Sequence, residues 1–507
     1  MMKVARAQAR LPEGRLESLD VLRRALTQYL IRIETLTPRN KSVSKKQSRI
    51  PALMPMTVLV IEHHTKRVRS KMIRLMTVLV GISVIACDTK ENISAGSNSR
   101  DIAGHQSPEG GGVVSDNAAE PATVENDSLS LVAAPSGLRH PGVLVNAEQI
   151  ALLKEKIAQS AQPWKKAYDI INTHTMTSPS YTPKPWKIVE CGPYNKPNLG
   201  CADEVRDSLA AYTNALTWVL SGNQANATKA IEIMDAWRAT LTKHTNHNAP
   251  LQAAWAASMW ARAAEIMRYS PNRGRWSATA VNQFGNWLKT VHLPRLNNLK
   301  AYNGNWDLSQ IEATMAIAVF LDDRALFNTA VARWRQRTPA YIYLRSDGPL
   351  PKLPPGESLT QAQLISFWYG QTQFTDGHAQ ETCRDFGHTQ MGLGAMINAA
   401  ETARIQGVNL YSEQKTRIVA ALESHAKYLN GAPIPSSLCG GKLTLTRVPM
   451  WEIGYNHYAN RDFLSLPQTN ALILATTPKV FRPSGVYLHM AWETLTHAGV
   501  GSAGLPK

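Results

Sequence analysis

Apolar side chains recur at three- and four-residue steps through most of the second half of the chain. In 204–222 the apolar face is Leu209, Tyr212, Leu216 and Val219, and Gly222 stands where a helix would stop. The same period predicts helices near 147–158, 225–242, 251–268, 277–290, 307–321, 324–335, 359–369, 388–406, 412–429 and 484–497. Strict alternation is scarce, and Leu443 to Val448 is the best strand candidate. Ten or more helices, joined by irregular loops, fit a long bundle, a helical solenoid or an α/α toroid. No fixed 34- or 40-residue repeat appears, which argues against a solenoid. The Trp, His, Asn and Arg residues gather in loops, as they do when one end of a toroid forms a cleft. The pattern therefore predicts an all-α fold, an (α/α) toroid or incomplete α/α barrel with few short strands.

The first 135 residues follow other rules. Lys71 and Arg74 precede the apolar run Leu75–Ala86, and Cys87 follows it. A basic flank and a short apolar stretch ending in small residues describe an export signal. Val84-Ile85-Ala86-Cys87 resembles a bacterial lipobox, which makes Cys87 the expected lipidation site. The chain then divides into a basic extension over 1–71, a lipoprotein signal over 72–86, a tether over 87–135 and a helical domain over 136–507. Met72 starts the signal neatly, so an over-extended gene start accounts for residues 1–71. Residues 88–135 are rich in Ser, Gly, Asn, Asp and Glu and hold no aromatic residue, so they cannot bury enough surface to offset their ordering entropy. The expected location is exported, as a periplasmic or outer-membrane-associated lipoprotein of a Gram-negative bacterium.

Charge sharpens this division. The 507 residues carry 55 Lys and Arg against 38 Asp and Glu, a net +17. Residues 1–75 hold 17 basic and 5 acidic side chains, or +12, which leaves 38 against 33, or +5, for the rest. A nucleic-acid partner is therefore not expected. No run of 18 apolar residues exists, so contact with a membrane is expected through the lipid alone. Cys191 and Cys201 bracket a turn-rich loop that an oxidising compartment would close as a disulfide. Cys383 and Cys439 are either a second pair or two buried thiols. No Cys-x-x-Cys is present, and neither a metal nor another cofactor is expected.

Three segments carry candidate chemistry. Asn303-Gly-Asn305-Trp306-Asp307 opens a helix and suits sugar recognition, through an amide donor and an indole face. Asp376 to Gln390 packs His378, Glu381, Arg384, Asp385 and His388 together, a density that is costly unless the groups pair or act on a ligand. There His388 is a candidate proton acceptor, with Glu381 or Asp385 fixing its tautomer. The third segment runs from Arg447 through Trp451 and Glu452 to Tyr455, His457 and Tyr458. It offers a cation for an anionic substrate and a phenolic proton donor.

Asn-Gly-Asn-Trp at 303–306, the block Gln380 to Gln390 and Trp451-Glu-Ile-Gly-Tyr-Asn-His-Tyr458 together resemble the alginate lyase superfamily of α/α-toroid polysaccharide lyases. The likeness is strongest to polysaccharide lyase family 38 and more distant to family 5. It covers most of 136–507, including the Cys191–Cys201 loop and Pro250 to Trp255. The resemblance implies β-elimination on a uronic-acid polymer such as alginate, an anionic partner. It implies Asn305 and Arg447 on the substrate carboxylate, His388 as neutraliser or base, and Tyr455, with Tyr458 in reserve, as proton donor. Trp306, His378, Glu381, Arg384, Trp451 and His457 would line the subsites. Family 5 has Asn-Asn-His where this chain has Asn-Gly-Asn-Trp, so the histidine role moves to His388. Two rivals remain: a glycoside hydrolase with two carboxylates about 5–9.5 Å apart, and a lipoprotein that binds glycans without turnover.

Overall fold

A computed structural model of the protein describes residues 137–270, 275–296, 303–475 and 488–500. The extension, the signal, Cys87 and the tether all lie outside the described residues.

The order of elements is α1 (Ala147–Ala158), α2 (Trp164–Asn172), β1 (Ile188–Cys191), β2 (Asn198–Leu199), α3 (Cys201–Ser221), α4 (Gln224–Thr240), β3 (Lys243–Thr245), α5 (Ala249–Tyr269), α6 (Ala278–Trp287), α7 (Gly304–Phe320) and α8 (Arg324–Tyr341). It continues with α9 (Gln361–Phe367), α10 (Phe386–Ile405), α11 (Lys415–Leu429), α12 (Trp451–Tyr455), α13 (Pro467–Ala475) and α14 (Glu493–His497). Two π-helical turns, Leu288–His292 and Asn456–Arg461, extend α6 and α12.

Helices alternate between an inner and an outer ring. The inner neighbours run α3, α5, α7, α10, α12 and α14, and α14 returns to α1 and α2, with α1 against α3. The outer helices α4, α8 and α13 pack on the backs of α3, α7 and α12 respectively, while α11 packs on α13. This is an α/α toroid. The inner helices α5 and α7 are buried on nearly every face, as an all-round apolar helix must be. Outer helix α4 instead buries one stripe, Ala227, Ala230, Ile233, Met234 and Trp237. Gly222 ends α3 with a left-handed φ of 75°, a conformation that costs glycine least.

The predicted strand at 443–448 is absent. Those residues cross the start of α10 as irregular chain, where the Phe386 N–H donates to the Thr444 carbonyl at 2.9 Å and the Val448 N–H to Gln390 Oε1 at 2.9 Å. The three strands form one small sheet, with β1 antiparallel to β2 and parallel to β3. Both cysteine pairs are disulfides, Cys191–Cys201 and Cys383–Cys439.

Candidate active site

The cluster is built where α7 begins beside the chain that leads into α10. After α8 the chain crosses itself, with the Tyr343 N–H on the His378 carbonyl and the Gln380 N–H on the Tyr341 carbonyl, both at 2.8 Å. This crossing presents Gln380 and Glu381 to the first turn of α7. Gln380 Oε1 accepts from the Gly304 N–H at 2.9 Å, and its Nε2 donates to Asn303 Oδ1 at 2.9 Å. Gly304 is required by contact: a Cβ there would lie 1.9 Å from the Tyr341 ring.

Glu381 is the hub. Its carboxylate is 0% exposed, and it accepts from the Asn305 N–H at 3.0 Å, Asn305 Nδ2 at 2.8 Å, Tyr341 Oη at 3.2 Å and Arg384 Nη1 at 3.1 Å. Four donors, one of them charged, balance a buried charge that would otherwise be strongly disfavoured. Burial and the neighbouring Glu381 charge push the Tyr341 phenol well up, so Tyr341 serves as a donor. The Arg384 guanidinium lies 5.8 Å over the Tyr369 ring.

His388 follows within the first turn of α10. Asp385 caps that helix through Oδ1, which accepts the His388 N–H at 2.8 Å, while Oδ2 meets His388 Nδ1 at 2.6 Å. Burial pushes the Asp385 carboxyl up, but the His388 bond outweighs it and holds the group below the usual range. In the neutral ring, Nδ1–H donates to Asp385 and Nε2 carries the lone pair. His388 keeps 22% of its side chain exposed and Arg384 the same.

Beside this cluster runs a polar groove of about 550 Å³, lined by Tyr369, Gln371, Ser436, Ser437, Lys442 and Thr444 and crossed by the Cys383–Cys439 bridge. Trp306 is half-buried and meets His247 edge-on at 5.5 Å. Asp307 is not the cap of α7. It pairs with Arg333 at 2.6 Å and faces Arg337 at 3.7 Å.

Other sequence candidates are placed elsewhere. His378 is buried with both ring nitrogens on Thr375, and burial pushes it down to about 4. It belongs to the wall, not to a subsite. Arg447 is exposed, and its Nη2 donates to the Leu429 carbonyl at the end of α11 at 2.9 Å. Trp451 is buried and donates through Nε1 to Gln390 Oε1 at 3.2 Å.

His457 stacks on Tyr411 at 3.8 Å, and Tyr458 Oη donates to the Tyr411 carbonyl at 3.1 Å. Their surroundings include Glu401, Arg404 and Arg461. Gln390 and Glu401 stand eleven residues apart on α10, about 16 Å at 1.5 Å per residue. His457 and Tyr458 thus serve the far end of the toroid. Tyr455 is half-buried, and its phenol is pushed up by burial and by the Glu452 and Glu423 charges.

Sequence reasoning missed Tyr341, Tyr369 and His247. Tyr341 and Tyr369 sit in ordinary helical or turn sequence, and only chain crossing brings them to Glu381 and Arg384. Gly304 is the nearest thing to a signal for Tyr341. Asp385, left open beside Glu381 as the partner of His388, is the one bonded to it.

The fold is an all-α toroid, with the Glu381–His388 cluster built at the start of α7 and α10. Residues 164–354 match the family model for alginate lyase. The matched segment includes Asn305 and ends before Glu381. No curated protein matches the sequence. Among solved structures, an alginate lyase from Bacteroides ovatus is 15% identical, with a TM-score of 0.45 over 69% of this chain and 98% of that one. Alginate lyase A1-III from Sphingomonas species A1 is 16% identical, with a TM-score of 0.46 over 66% and 95%. A variant of that enzyme complexed with a tetrasaccharide gives 16% identity and 0.43 over 68% and 98%.

Proposed function

We propose that this protein is a polysaccharide lyase that acts on a uronic-acid polymer, with alginate as the first candidate, by β-elimination at the Glu381–His388 cluster. The observation that carries this reading is His388, oriented by Asp385 and set four residues from the Arg384 guanidinium. Removing a proton next to a carboxylate requires that negative charge be offset, which the partly exposed Arg384 guanidinium supplies. His388 Nε2 takes the C5 proton. The C5–H pair becomes the C4=C5 double bond, and the C4–O bond breaks with its electrons on the leaving oxygen. A phenol then protonates that oxygen. Tyr369 lines the groove with its ring 5.8 Å under the Arg384 guanidinium and is the candidate for this step, and Tyr455 remains the candidate from family resemblance.

Asn305 acts through Glu381 in this reading, since its Nδ2 is already committed there. Against the hydrolase alternative, the four carboxylates of segments 376–390 and 447–458 already hold partners. Glu381 holds four donors, Asp385 holds His388, Asp376 accepts from the Arg345 N–H and Glu452 from Thr494 Oγ1. Export and a lipid on Cys87 complete the proposal, supported by the sequence of 71–87.

The test is incubation of the chain from residue 88 onward with polymannuronate, polyguluronate and glucuronan while short-wavelength ultraviolet absorbance is followed. A rise on one polymer supports elimination and names the substrate. New reducing ends without absorbance would mean hydrolysis, and no turnover would mean a binder.

A further inference from the structure

Away from the cleft, three fully buried side chains converge where the small sheet meets the toroid. Glu204 comes from the first turn of α3, His244 from β3 and His292 from the π-helical turn after α6. All three are 0% exposed. His244 Nε2 lies 2.9 Å from Glu204 Oε1, and His292 Nε2 lies 3.4 Å from the same oxygen. One ligand atom from each residue falls within 4.8 Å of the others.

We propose that Glu204, His244 and His292 form a structural site for a divalent transition metal, of which Zn²⁺ is the best fit. Two imidazoles and a carboxylate are borderline ligands that suit Zn²⁺. Tetrahedral Zn²⁺ with bonds of about 2.0–2.2 Å sets its ligand atoms roughly 3.3–3.6 Å apart. The two His–Glu separations lie within about half an ångström of that range. The fourth position would fall to water or to a neighbouring amide.

Two further features favour an ion. The Nδ1 atoms of both histidines are buried and have no hydrogen-bond partner. No hydrogen bond at Nδ1 therefore sets the tautomer of either ring, and each Nε2 is able to present its lone pair to an ion. Glu204 is surrounded by these histidines and by Gln252, whose Nε2 donates to Oε2 at 2.8 Å, and no Lys or Arg ion-pairs with it among the described residues. A divalent ion supplies the positive charge that a carboxylate buried this deeply requires.

The site also has a structural task. It joins the start of α3, the strand beside the Cys191–Cys201 loop and the π-turn, three segments distant in sequence. His247, which meets Trp306, lies three residues beyond His244. Metal binding would thus steady the segment that carries His247 against Trp306.

The experiment uses the exported chain from residue 88 onward, stripped with a chelator, reloaded with Zn²⁺ and dialysed. Metal is quantified by mass spectrometry and stability by thermal unfolding. One equivalent of retained zinc with a higher Tm is expected, and it should be lost in Glu204→Gln and His292→Asn but kept in His247→Ala. If a variant does not fold, Co²⁺ titration of the unmodified chain gives an independent readout, with visible absorption bands of a four-coordinate nitrogen–oxygen site expected. Failure to retain metal, or equal retention in the triad variants, would overturn the proposal and leave a hydrogen-bonded network. Neither readout depends on turnover, so the outcome is separate from the fate of the lyase reading.

Discussion

Asp385 grips His388 twice, through the backbone N–H at 2.8 Å and the ring Nδ1 at 2.6 Å. One carboxylate thus caps α10 and fixes the orientation of the His388 imidazole. The two tasks separate by substitution.

Asp385→Asn keeps the cap, because Asn is as good an N-cap as Asp. It removes the anion that holds Nδ1–H. Activity should fall by about 10²- to 10⁴-fold, the range of general acid–base catalysis, with Tm lowered only by the share of stability that the carboxylate charge contributes. Asp385→Ala should show the same loss of activity and lose a further ~1 kcal/mol of stability. Initial rates by absorbance, alongside thermal unfolding, decide this; equal stability of the two variants would contradict the cap.

Acid should expose the same bond. The Asp385 carboxyl is held below its usual value in the folded state, so its contribution is fully present above the unfolded value of about 3.9 and is lost as pH falls through the lower folded value. The Tm gap between the native chain and Asp385→Asn should be constant from pH 7 to about pH 5 and shrink below about pH 4. A gap independent of pH would mean the carboxylate gains nothing from His388.

Glu381→Gln replaces four-fold acceptance with an amide whose NH₂ must face Asn305 Nδ2 or Arg384. Breaking a buried charge pair costs about 3–5 kcal/mol, and activity should be abolished even where the variant remains folded. Urea denaturation and the absorbance assay are the measurements. A stable, active Glu381→Gln would remove Glu381 from its position as hub.

The phenol is the sharpest choice. Tyr369→Phe is expected to lower kcat by about 10²-fold or more, whereas Tyr455→Phe should retain most activity, because burial and the Glu452 and Glu423 charges push that phenol up. A loss confined to Tyr455→Phe would return the role to that residue.

Reduction of Cys383–Cys439 opens a loop spanning 56 residues, worth about 4 kcal/mol by loop-closure entropy. Because that bridge crosses the groove, Cys383→Ser/Cys439→Ser should raise KM more than it lowers kcat. Substrate-saturation curves read the two separately.

The sequence by itself determined the helical period, the alternation that leaves only short strands, and the density of charge at 376–390. These are local properties, set by residue spacing and by the cost of leaving polar groups unpaired. Tertiary structure decided which of those groups meet. Glu381 and Asn305 are 76 positions apart and bond because the chain crosses itself after α8. His457 and Tyr458, neighbours of Tyr455 in sequence, are carried to the far end of α10 by the rise of a helix. Residues 443–448, apolar and polar in alternation, do not pair as a strand because their backbone groups are claimed by Phe386 and Gln390. The Glu204–His244–His292 group has no spacing to betray it, since its members come from a helix, a strand and a π-turn. Long-range packing alone brings them within reach of one another.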